Sequence, residues 1–118
     1  MSSFISLQRA IDMTTLYRQE KENILAPAYR GQNILARCET LDRDIFDTLL
    51  AKPDCTGIRI YYGMDESLKV HAMVVAVNSK NEDILPQDEL SKDNTGDYIG
   101  DETQRCPPDC PPESDLNP

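Results

Sequence analysis

Apolar positions recur at helical spacing from Leu7 onward, through Ala10, Ile11, Leu16, Tyr17 and Ile24, and nothing interrupts them before Pro27. Ser6 is placed to cap this helix, with Ile5 stapled against Ala10, so the pattern predicts a helix over about Leu7 to Asn23. Its polar side carries Arg9, Arg18, Lys21 and Glu22, a solvated face. In "NILARCET" the alternation of Ile34, Ala36 and Cys38 predicts a short strand. In "TLDRDIFDTLLAKP", Asp42 is a cap and Ile45, Phe46, Leu49 and Leu50 form an apolar stripe ended by Pro53, which predicts a second helix over about Arg43 to Ala51.

The clearest pattern lies in "TGIRIYYGMDESLKVHAMVVAVNSKNEDIL". Ile58, Ile60 and Tyr62 alternate with Arg59 and Tyr61, "GMDESLK" supplies turn residues, and "VHAMVVAV" is rich in β-branched side chains. A hairpin is expected, followed by a turn at "NSKN" and a third strand over Glu82 to Leu85. Pairing Tyr62 with Val70 would put Tyr61 opposite His71 and Arg59 opposite Met73. One face then carries Ile58, Ile60, Tyr62, Val70, Ala72, Val74 and Ala76; the other carries Arg59, Tyr61, His71, Met73, Val75 and Val77. The expected architecture is α+β: two helices packed on one side of a small antiparallel sheet, with residues 1–86 forming the domain and 87–118 an acidic, proline-rich tail, packed back on the domain or free of it.

Charge reinforces that boundary. Residues 1–81 hold ten acidic and ten basic side chains, whereas 82–118 hold eleven acidic and two basic, which accounts for the net charge of −9. Six of the eight prolines also follow Glu82. So acidic a chain lacks the clustered Lys and Arg that bind phosphate backbones, and nucleic acid is not an expected partner. No window reaches the ~18 apolar residues of a spanning helix, and the N-terminus has no secretory signal pattern. A cytoplasmic location without membrane attachment is expected, where thiols stay reduced.

The early helix ending in "TLYR", the "GIRIYYGMDE" strand and the closing "CPPDCPP" together resemble a group of short bacterial proteins with no assigned activity. The resemblance covers most of the chain and implies no activity, cofactor or site. It implies only that the Cys/Pro-rich end is a native feature.

The chemistry-bearing candidates are few. Arg59, Tyr61 and His71, on one face of the hairpin, could bind a small anion or an acidic peptide through a guanidinium fork, a phenol and an imidazole. The ordinary outer side of a sheet has the same composition. His71 is the single histidine, so any imidazole base must be this one. Asp65 and Glu66 suit the hairpin turn. GxSxG, P-loop, GxGxxG and HExxH patterns are absent. Asp93, Thr95 and Asp97 imitate the start of a calcium loop, but Tyr98 and Gln104 stand where Gly and Glu are needed.

Half of the four cysteines and four of the prolines lie between Cys106 and Pro112. In a polyproline II conformation the two Cα atoms would stand ~12 Å apart, too far for a shared metal or a disulfide. A β-turn over Pro107 to Cys110 would bring them together. Turned, the pair is a disulfide loop or half of a zinc site with Cys55 as a further ligand; Cys38 is expected to be buried and inert. Arg105, Pro108 and Pro111 match a proline-rich ligand spacing. The expected function is a non-catalytic interaction or accessory module that binds a protein partner through the mixed sheet face or the tail, with no cofactor. The alternatives are a small metal-binding or thiol-redox protein using Cys106, Cys110 and Cys55, and an enzyme using Arg59, Tyr61 and His71.

Overall fold

A computed structural model describes residues 3–85, 99–100 and 104–118. In chain order they form α1 (Leu7–Glu20), a 3-10 turn (Pro27–Tyr29), β1 (Cys38–Thr40), α2 (Arg43–Leu50), β2 (Cys55–Met64), β3 (Val70–Asn78), β4 (Asp83–Ile84), β5 (Ile99–Gly100) and β6 (Gln104–Cys106). The fold is α+β, as the alternation of helical and strand periods implies. The calcium-like stretch from Asp93 to Tyr98 lies outside the described residues. None of the described helices is long and apolar enough to cross a membrane.

The chain divides into two compact units, Met1–Cys38 with Arg105–Pro118, and Glu39–Gln104. This differs from a boundary near residue 86. Charge and proline change there, but the backbone contacts that define a unit change at Glu39 and Arg105.

In the Glu39–Gln104 unit, β2, β3 and β4 pair in that order, and β5 also pairs with β3. The hairpin register differs by two residues from the expected one: Tyr62 faces Ala72, Tyr61 faces Met73 and Arg59 faces Val75. The turn is the cause. Strand β2 runs on to Met64, and Asp65 closes the loop by accepting the amides of Ser67 (2.8 Å) and Lys69 (3.1 Å) on Oδ1 while its own amide donates to the Lys69 carbonyl. Leu68, at φ 65°, takes the left-handed step. Because the shift is even, each side chain stays on its expected face.

Helix α2 starts at Asp42, whose backbone fits the cap position although its carboxylate makes no capping bond. Ile45 and Leu49, four apart and so on one side of the helix, turn toward the sheet. Leu49, Val74 and Ala76 are the buried centre, with Leu41, Ile45, Cys55, Ile58 and Ile84 packed around them. Leu50, expected in the same stripe, is exposed.

The other unit is organised differently. Ser6 caps α1 by accepting the Arg9 amide at 3.0 Å, yet the helix has no buried residue. Beyond it the chain is largely irregular, and arginine side chains take up its carbonyls. Arg18 donates to Leu116 O (3.0 Å), Arg30 to Glu22 O and Leu25 O (3.1 Å each), and Arg37 to Pro118 O (3.3 Å). Arg105, 8% exposed, donates to Asn33 O (2.6 Å) and Ile34 O (2.9 Å). The C-terminal segment is therefore built into this unit. Strand character in "NILARCET" is confined to Cys38–Thr40, which pairs with β6.

Candidate interaction site on the sheet

Alternation along β2 sends Arg59 and Tyr61 to one face of the sheet and Ile58, Ile60, Tyr62 and Met64 to the other. On the first face Asp83 is the organising group. It pairs with Val77 across the β3–β4 ladder, so its carboxylate stands on the same side as Arg59 and Tyr61 but on the far side of the central strand. Arg59 Nη1 lies 2.5 Å from Asp83 Oδ1, and Arg59 Nη2 reaches Asn81 Oδ1 at 2.5 Å and Asn81 O at 3.2 Å. The Tyr61 hydroxyl donates to Asp83 Oδ2. Both side chains must pass over β3 to reach these acceptors, and Val75 beneath them is buried. The Tyr61 hydrogen bond, with Arg59 beside it, holds the Asp83 carboxyl below the usual carboxylate range. The same bond to an anionic acceptor pushes the Tyr61 phenol up.

His71 stands apart from this group. It faces Gly63, and its Nε2 lies 2.7 Å from Asp65 Oδ2 in the hairpin turn. Nδ1 is 3.6 Å from Glu39 Oε1, a distance at which a protonated ring forms an ion pair. Glu39 in turn accepts the Ala72 amide on Oε2 at 2.8 Å. The His71 hydrogen bond, and then the amides of Lys69 and Ser67, hold the Asp65 carboxyl below its usual range. The expected cluster of Arg59, Tyr61 and His71 is thus two groups, Arg59 and Tyr61 on Asp83 and His71 between Asp65 and Glu39. As folded, the Arg59 fork and the Tyr61 hydroxyl are engaged with Asp83 and Asn81 instead of being directed at an incoming anion.

Sequence reasoning missed Asp83, Asp65 and Glu39 as partners. Asp83 was legible in principle, since a third strand with Ile84 toward the core must turn Asp83 to the opposite face. Glu39 lies 33 positions from the amide it accepts and left no local signal.

Cys106 and Cys110 are joined by a disulfide with Cα atoms 4.4 Å apart, so the segment is turned, not extended. Cys106 is fully buried and Cys110 exposed. Cys38 and Cys55 are free thiols, both half-buried; Cys55 belongs to the other unit. Among the described residues no group of three or more His, Cys, Asp or Glu side chains is placed to hold a metal ion.

The second face changes character along its length. Near α2 it is core, with Val74 at 2% exposure, but along β2 Ile60, Tyr62 and Met64 are all more than half exposed, Tyr62 to 77%. Strand β2 is an edge: among the described residues it pairs only with β3. Comparison with protein-family models, with curated proteins and with solved structures gives no match to this chain.

Proposed function

We propose that the chain is a non-catalytic interaction module that engages a protein partner along β2. The observation that carries this reading is an unpaired strand edge flanked by exposed Ile60, Tyr62 and Met64. Soluble proteins guard such edges with Lys, Pro or inward charges, because free amides and carbonyls recruit another strand. Strand β2 has no Lys and no Pro, and its one charged residue, Arg59, is drawn over the sheet to Asp83. An added strand gains main-chain hydrogen bonds for affinity, and alternate side chains on Ile60, Tyr62 and Met64 supply selectivity. This moves the docking surface from the mixed face to the apolar one. Affinity capture from the native cell tests it. Proteins recovered with the parent chain should be lost with Tyr62→Lys combined with Met64→Lys and kept with Glu66→Gln; equal recovery with the double variant would remove β2 from the reading.

A second reading, a small thiol-redox protein, is favoured by the Cys106–Cys110 bond, of which Cys106 is buried and Cys110 is the exposed residue, the side from which a thiolate would approach. The zinc form of this idea requires the same two sulfurs as free thiolates. The bond also bears on location: free Cys38 and Cys55 suit a reducing cytoplasm, whereas a persistent disulfide suits an oxidising compartment. Alkylation of the protein in freshly lysed native cells, followed by mass measurement, separates them: four labelled thiols support the cytoplasm, two the oxidising compartment.

A further inference from the structure

Helix α1 presents an apolar groove of about 430 Å³, with Met13, Leu16 and Ile24 among its lining residues. Leu16 is 59% exposed and Ile24, in the turn that continues the helix through a bond from its amide to Glu20 O, is 72% exposed. Two features give the groove fixed walls. The Tyr17 hydroxyl donates to Ala36 O at 2.5 Å, which pins its ring, and Lys21 is paired with Glu22 at 2.9 Å.

The residues along the middle of this groove within the helix are Arg9, Met13, Leu16 and Glu20, at spacings of four, three and four. The spacing reads the same in both directions, and so does the chemistry if charge is inverted. Turning the helix end for end about the point between Thr14 and Thr15 brings Arg9 onto Glu20 and Met13 onto Leu16. Helices whose contact residues alternate by three and four pack side by side with axes ~8–10 Å apart.

We infer that α1 is a self-association helix whose groove receives α1 of a second copy of this chain, antiparallel, around a two-fold axis between Thr14 and Thr15. In that arrangement Met13 and Leu16 of each copy pack on Leu16 and Met13 of the other, and two Arg9–Glu20 pairs close the ends of the apolar layer. The parallel arrangement would set Arg9 on Arg9 and Glu20 on Glu20, so the charges select the antiparallel one. A two-fold axis also requires one patch to complement itself, which this stripe does. No residue of β2 takes part in this contact, which is independent of the partner proposed for that strand.

Sedimentation of the full chain over a concentration series, with far-UV circular dichroism to monitor helix content, tests this. The parent chain should show a concentration-dependent dimer. Arg9→Glu and Glu20→Arg, each creating two like-charge contacts, should each weaken dimerisation roughly tenfold or more. The variant carrying both substitutions should recover the parent dimer, because the two charges of each pair have then changed places and attract again. An equimolar mixture of the two single variants should form a heterodimer, which checks the same pairs without the double variant. A parent chain that stays monomeric throughout, single variants that dimerise as the parent does, or failure of both the double variant and the mixture to recover dimer would each overturn the inference.

Discussion

The two compact units solve the same problem by different means. In Glu39–Gln104 the backbone is satisfied by strand pairing, and a helix covers a small aliphatic centre of Leu49, Val74 and Ala76. In Met1–Cys38 with Arg105–Pro118 much of the backbone is irregular, and four arginines and a disulfide do the cross-linking. A carbonyl without a ladder partner still needs a donor, and the long guanidinium fork can deliver one across an irregular segment. What the second unit lacks is apolar burial. Its helix buries no side chain, and Ile34 and Cys106 are its only buried hydrophobic residues among those described. The unit held by directional bonds leaves its helix face exposed, whereas in the unit held by a core the most exposed apolar side chains described are on the β2 edge, Tyr62 and Met64.

That contrast can be broken by substitution, beginning with the largest effect. Leu49→Ala should destabilise the Glu39–Gln104 unit by about 3 kcal/mol in urea denaturation, since the side chain is fully buried. A loss below about 1 kcal/mol would mean that Leu49 is not at the centre of a packed core. Arg105→Met keeps bulk but removes the donors to Asn33 O and Ile34 O, and should cost about 2 kcal/mol. Hydrogen exchange should localise this loss to residues around Asn33–Cys38 and leave β3 protected. Gly31→Ala places a side chain in open space but at φ +78°, so backbone strain alone should cost about 1 kcal/mol. Tyr62→Thr should change the unfolding free energy in urea by no more than about 0.5 kcal/mol, because that ring is mostly in solvent.

Acid should act on the sheet through Asp83 and Asp65. Both carboxyls are held below their usual range, by Tyr61 with Arg59 and by His71 with the turn amides respectively. A depressed native value means that the unfolded chain binds protons first, so the contribution is whole above the ordinary carboxylate value of ~3.9 and is lost as pH falls through the lower native value. Thermal melts from pH 5 downward should show this decline, and Asp83→Asn should flatten it.

Both helices, the hairpin and the third strand were legible because their periods are local. The faces of the side chains from Ile58 to Tyr62 and from Val70 to Val77 were legible too, Ile60 opposite to Arg59 for example, since alternation survives an even register shift. The register itself was not, because it depends on Asp65 folding its carboxylate onto two amides and shortening the turn. Nor was the integration of the C-terminal segment. Acidic, proline-rich composition left a packed and a free tail both open, and the bonds from Arg18, Arg37 and Arg105 that join the segment to its unit have no local signature. For the candidate site the mutual contacts were not legible: Arg59 and Tyr61 found Asp83, and His71 found Asp65, through distances that composition does not encode.

Native-state hydrogen exchange at two protein concentrations compares the units most directly. Amides of β3 from Val74 to Ala76 should be equally protected at both, because their protection comes from the core beneath them. Amides of α1 from Ile11 to Leu16 should be weakly protected when dilute and gain protection when concentrated, as the apolar stripe is covered. Protection of α1 equal to that of β3 in dilute solution, with no response to concentration, would contradict the account.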